Sequence, residues 1–154
     1  MSQLLLSSRF VDAVTSLAGK LGLFDVVIAH EPKAAPAATG LTCATWGSDI
    51  RPVQSSGQAS VSIRLELRTR IYLSMLADPQ DGIDALVLDA GSAVMNELCG
   101  GFSLAGRARG VDLFGADGEG LRGQMGYLNQ DGKLFRVMDI FVPIVINDLW
   151  DEVA

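Results

Sequence analysis

From residue 61 the chain alternates. Val61, Ile63, Leu65, Leu67, Ile71 and Leu73 fall on one face, and Ser62, Arg64, Glu66, Arg68 and Arg70 on the other. Successive side chains of a strand point to opposite faces, so residues 61–73 predict a long strand with one dry face and one charged, wet face. Asp78-Pro79-Gln80-Asp81-Gly82 stops it. Proline suits the first turn of a helix, and Asp78 or Asp81 is placed to accept the free N–H groups there. The period then changes. Ile83, Leu86, Val87, Ala90, Val94 and Leu98 make one stripe of an amphipathic helix over residues 81–98. Gly100-Gly101 offers the left-handed residue that ends helices. A half-dry strand followed by a one-faced helix lays that helix on its own sheet.

Upstream, Ser7 or Ser8 can cap a first helix over residues 8–21, with Phe10, Val11, Val14, Leu17, Ala18 and Leu21 as its stripe and Gly22 at its end. Residues 24–29 and 42–46 read as strands, and residues 54–59 as a polar turn. Between the two strands, residues 31–40 are rich in proline and alanine and have no period, which predicts an exposed loop. Downstream, residues 106–114 and 121–128 read as strands around Gly115-Ala116-Asp117-Gly118-Glu119-Gly120. Asp131-Gly132 then turns the chain into a last strand over residues 134–146. These three predict an antiparallel meander. Pro143 has no N–H, so it belongs at a sheet edge or where pairing has ended. The expected class is α+β: a mainly antiparallel sheet with two helices packed on one face. The loops 31–40 and 115–120, small-residue-rich and without an apolar anchor, are expected to be the loosest.

The 154 residues suit a single domain spanning 1–154. Hydrophobic residues make up 49% and charged residues 19%, which excludes a disordered chain. The net charge of -6 argues against unspecific binding of nucleic acid through a basic surface. Cys43 and Cys99 fit no metal or redox spacing and read as free thiols of a reducing compartment. No apolar run reaches the ~20 residues of a membrane span. Residues 1–6 are too short for a signal-peptide core, so the expected site of synthesis and folding is the cytosol.

Candidate chemistry is thin. Gly118-Glu119-Gly120-Leu121-Arg122-Gly123 has the letters of a dinucleotide fingerprint, but that motif needs a helix N-terminus after it, and here a hairpin turn leads into a strand. Gly101-Phe102-Ser103-Leu104-Ala105 resembles a nucleophile elbow, yet a helix precedes it and the sole histidine, His30, lies upstream. His30 has only Glu31 beside it, which points the other way on an extended chain. Asp112, Asp117 and Glu119 lack the twelfth-position acid of a calcium loop. Arg64, Arg68 and Arg70 could touch phosphates, or pair across strands with Glu66 and Asp139. Trp46 and Trp150 suit either an interface or ordinary packing. No catalytic, cofactor-binding or metal residue is assigned, and the reading is not an enzyme.

One segment asks for a partner. Ile140-Phe141-Val142-Pro143-Ile144-Val145-Ile146 is apolar on both faces, and two helices can cover only one. Phe141 and Val145 are therefore candidate subunit-interface residues, with the loop 31–40 as the alternative cover from within the subunit.

The element order now resembles a known family. A capped helix, a long strand with a charged face, an Asp-Pro turn and a helix ending in Gly100-Gly101 come first. Gly106-Arg107-Ala108-Arg109-Gly110-Val111-Asp112-Leu113, a Gly-rich hairpin and a closing strand from Asp131-Gly132 to Ile144 follow. This layout resembles the tail terminator (head–tail joining, minor tail) proteins of long-tailed bacteriophages. The resemblance implies a virion structural protein: a small α+β subunit of a hexameric ring. Such a ring caps the tail tube, ends its polymerisation and meets a head completion or connector protein, with DNA passing through unbound. It implies assembly in the host cytoplasm, a place in the tail or neck, no membrane, no cofactor and no catalytic residues. The acidic balance suits a channel that must not hold DNA. The alternatives are a small intracellular α+β ligand-binding or regulatory domain, and an enzyme using Asp112, Asp139 and arginines.

Overall fold

The computed structural model describes residues 7–37, 39–53, 60–100, 108–116 and 118–151, with the side chains at 108, 109 and 151 outside the description. In chain order the elements are α1 (Ser7–Lys20), β1 (Val26–Ile28), β2 (Thr42–Pro52), β3 (Ser60–Ser74), α2 (Ile83–Cys99), β4 (Ala108–Val111), β5 (Arg122–Gln130) and β6 (Lys133–Asp151). The protein is an α+β fold.

The sheet is built on the β3–β6 ladder, which runs antiparallel from Ser74↔Phe135 to Ser60↔Asp151. The odd-numbered side chains of β3 and the even-numbered ones of β6 form one apolar face. Ile63, Leu65, Leu67 and Ile71 meet Met138, Ile140, Val142 and Ile144 there, with Cys43 beside them on β2. Both helices pack on this face. α1 contributes Phe10, Val11, Val14 and Ala18, and α2 contributes Ile83, Val87, Ala90, Val94 and Leu98. The expected stripes are nearly those observed. The exception is Leu86, which is 48% exposed, while Gly91 takes the buried place beside Met138. A side chain there would strike the Met138 thioether, so glycine lets helix and sheet approach closely.

The sheet is mainly antiparallel, as expected, and is mixed through one pair, β1 running parallel to β2. Parallel neighbours need a crossover of a dozen or so residues, and the Pro/Ala loop is that crossover. It is anchored: the Ala35 N–H donates to Asp131 Oδ2 at 2.7 Å, Gln130 Nε2 donates to the Pro32 carbonyl at 3.2 Å, and Ala35 packs on the sheet. The three C-terminal strands are not a meander. β5 pairs β6 from Gln130↔Lys133 to Arg122↔Phe141, and β4 pairs the same edge at residues 144–146 of β6. Together β4 and β5 run as one interrupted strand along β6. The interruption is at Pro143. Its carbonyl accepts the Asp112 N–H at 2.9 Å, and an N–H on the same residue would face the gap. There the chain leaves the sheet, and Leu121 returns it by donating to the Asp112 carbonyl at 3.1 Å.

Helix ends also differ from expectation. Neither Asp78 nor Asp81 caps α2: a single 3₁₀ turn, Gln80–Gly82, leads in, and no side chain caps either start. Gly100 closes α2 at φ -84°, in the ordinary half of conformational space, by donating to Asn96 and Glu97 carbonyls. Gly101 lies outside the described residues, as do residues 1–6 before α1, the polar turn 54–59, Phe102-Ser103-Leu104-Ala105 and Asp117. Gly22 does take the left-handed conformation, at φ +68°. So does the Asp131-Gly132 pair, at φ +52° and +75°, as the two-residue turn between β5 and β6 requires.

Candidate functional site

The second face of the sheet carries the polar residues. The register sets its rows: Arg51, Arg64 and Val145; Asp49, Glu66 and Pro143; Trp46, Arg68, Phe141 and Arg122; Ala44, Arg70, Asp139 and Gln124. A bulge between Gly47 and Asp49 keeps Asp49 and Arg51 on this face.

The sequence predicts a wet face here, and much of it is dry. Arg64 is 2% exposed, and Glu66, Arg68 and Arg70 are half-buried. Three things cover it. The first is the crossover loop, which closes over Ala44, Tyr72, Phe135 and Val137. The second is the excursion between β4 and β5, which lays Gly118 against the Arg64 guanidinium. Asp112 shapes that excursion by accepting the N–H groups of Gly115 and Ala116 at 3.0 and 2.9 Å. It lies 3.9 Å from Arg64 Nε, and Glu66 lies 3.6 Å from Nη1.

The third cover is guanidinium on aromatic ring. Phe141 is flanked by Arg68 at 4.8 Å and Arg122 at 4.0 Å from its centroid. Arg70 stands 5.3 Å from the Trp46 ring and 5.8 Å from that of Tyr72. A guanidinium keeps its charge on a ring face because the face is electron-rich and its own hydration is weak. Arg70 also donates to both oxygens of Asp139, at 2.6 and 3.1 Å, which holds its pKa above the ordinary arginine value. Burial pushes the Tyr72 phenol up, against the opposing pull of Arg70. Hydrogen bonding to Arg51 holds the exposed Asp49 carboxyl below its usual range.

The candidate interface residues lie inside this arrangement. Phe141 is 8% exposed and Val145 3%, with the subunit itself as their cover. The stretch Ile140–Ile146 that asked for a neighbour is covered by helices on one face and by arginines and loops on the other.

The remaining candidates do not converge. His30 Nδ1 lies 3.1 Å from the Glu31 carbonyl oxygen, on the far side of the sheet from Asp112 and Glu119. Glu119 pairs with Arg122 at 2.9 Å. Gly118-Glu119-Gly120-Leu121-Arg122-Gly123 leads into β5 and offers no helix end. Trp150 packs at the margin of the main core. Cys43 is buried, with its thiol pushed up to about 12, and Cys99 is exposed. Among the described residues, no group of three or more His, Cys, Asp or Glu is placed to hold a metal ion, and no helix is long and apolar enough to cross a membrane.

Sequence reasoning missed a cavity of about 280 Å³ on this face, lined in part by Arg68, Arg70, Gln124, Asp139 and Phe141. Its signal was present in the alternation of Arg68 and Arg70 on one face. What no periodicity could give was the register that brings Gln124 and Asp139 alongside them. Searches of protein-family models and of curated proteins find no match for this chain.

Proposed function

We propose that this chain is a ring-forming tail terminator of a long-tailed bacteriophage: a virion structural protein, not an enzyme. In this reading it caps the tail tube, ends its polymerisation and joins tail to head, with DNA passing through the ring. The observation that carries the proposal is the α+β layout itself, with helix, long strand, helix and a closing strand that pairs with the long one. Two further features support it. Among the described residues the outer edges of β1 and β5, at opposite sides of the sheet, have no strand partner. Unlike edges are what a head-to-tail contact uses, and such contacts close into rings. The net charge of -6 suits the wall of a DNA channel.

The experiment is light scattering of the purified protein, alone and with tail tubes, followed by negative-stain imaging. About six subunit masses, and rings seated on tube ends, are expected. A monomer that neither assembles nor binds tubes rejects the proposal. That outcome returns the second reading, a small α+β ligand-binding or regulatory domain, which the cavity beside Arg68 favours.

A further inference from the structure

Among the described residues, Arg68 is the guanidinium of this face without a carboxylate of its own. Arg51 pairs with Asp49, Arg64 lies between Glu66 and Asp112, and Arg122 pairs with Glu119. Asp139 accepts from Arg70 on both oxygens. Arg68 Nη1 is left 3.9 Å from Asp139 Oδ2, beyond hydrogen-bond distance. Its Nε is covered by protein, so a ligand has to meet the two terminal nitrogens, at the outer end of a side chain that is 32% exposed. The Phe141 ring, 4.8 Å away, orders the guanidinium before any ligand comes.

The cavity beside Arg68 owes its room to a glycine. Gln124, Gly126 and Leu128 share the second face of β5, and Gly126 stands opposite Val137. A Cβ at 126 would meet only Val137 Cγ2, at 3.8 Å, which is an ordinary contact. The space that a side chain would take there stays open. Leu128, Val137 and Phe141 give the cavity apolar walls, while Arg68 and the Gln124 amide give it donors. Its volume of about 280 Å³ lies at the small end of ligand pockets, roughly 300–1,000 Å³, and suits a single ring or a short chain better than a cofactor. Arg68 and Arg70 line it against one carboxylate, Asp139, which leaves an excess of positive charge. The net charge of -6 belongs to the whole chain, and charges beyond about 10 Å are largely screened at 0.1 M salt. One carboxylate balances the local excess, and its two oxygens match the guanidinium fork. A phosphate would bring close to two charges and leave the apolar walls bare.

We propose that the cavity over Gly126 binds a small monocarboxylate with an apolar body, its carboxylate on the terminal nitrogens of Arg68 and its body against Leu128, Val137 and Phe141. The inference rests on the cavity alone and does not depend on ring formation. Its test titrates the full chain with three probes: benzoate, benzamide, which has nearly the same shape without the charge, and inorganic phosphate. Amide chemical shifts read both affinity and place. Benzoate is expected to bind at millimolar concentration or tighter and to shift residues 124–128, with the other two probes at least tenfold weaker. Arg68→Gln is expected to lose at least tenfold. Gly126→Ile fills the cavity with a residue that suits a strand, so it should abolish binding with the thermal midpoint unchanged or raised. Equal affinity for benzoate and benzamide, tighter binding of phosphate, shifts confined to another part of the chain, undiminished binding by folded Gly126→Ile, or no saturation at tens of millimolar benzoate overturns the proposal. The comparison of probes needs no variant, so it decides the matter even if a variant fails to fold.

Discussion

Phe141 and Val145 show how far a residue's surroundings can depart from its pattern. Each sits in a run that looks too apolar for one subunit, and each is buried by that subunit. Phe141→Ala is therefore expected to destabilise the isolated subunit by about 3 kcal/mol or more, and Val145→Ala by a smaller amount, because each removes apolar contact from a covered face and leaves a cavity. Urea denaturation of the monomeric form checks both. Stability unchanged from wild type would mean that the cover comes from a neighbour. The two thiols give a second prediction. Cys43 is buried and Cys99 exposed, so an aromatic disulfide reagent should label one thiol in the native protein and two in denaturant. Cys43 also sets a pH dependence. Its thiol shifts from 9.0 to about 12 on folding, so the native state holds a proton that the unfolded chain releases. That contribution is complete below pH ~9 and is lost as pH rises towards 12, where stability should fall.

Among the elements, the β5–β6 hairpin and the crossover loop depend on each other through one carboxylate. Asp131 holds a left-handed turn position and accepts the Ala35 N–H. Asp131→Ala removes the acceptor and leaves a residue less tolerant of positive φ. A loss of about 1–2 kcal/mol is expected, with faster amide exchange at Ala35. If exchange there is unchanged, the loop is held by the packing of Ala35 alone. Small residues and the want of an apolar anchor predict that loops 31–40 and 115–120 are the loosest. Neither composition nor period reveals that Gln130 and Asp131 bond the first, or that Asp112 and Arg64 lie against the second.

In the molecule as a whole, α1, α2 and the β3–β6 ladder share one apolar core. No part of it can open without exposing the rest, so unfolding should be a single transition. Far-ultraviolet circular dichroism reports helix and sheet, while tryptophan fluorescence reports Trp46 on the second face and Trp150 at the core margin. The two curves should coincide in denaturant. Separate midpoints would show that the strand ends beyond Gly47 and Ile146 melt independently. Ring assembly, if present, would raise the common midpoint with protein concentration, since binding to the folded state stabilises it by mass action.

Period and punctuation in the sequence determined both helices, the long central strand, the Asp131-Gly132 turn and the α+β class. Each follows from spacing along a few turns or one strand, which the chain carries locally. Pro143 likewise marked where ladder pairing must break, because a missing N–H is a property of the residue itself. Tertiary structure alone decided the rest. The parallel placement of β1, the end-to-end pairing of β4 and β5 on one edge, and the burial of Arg64 and Phe141 all depend on which distant segments become neighbours. An alternation of arginines says that a face is polar; it cannot say that aromatic rings, a carboxylate on β6 and two loops will close over it. That cover comes from distant parts of the chain, as Arg70 and Asp139 illustrate at a separation of 69 and Ala35 and Asp131 at 96. Local physical preferences carry no record of such pairings until the register is set.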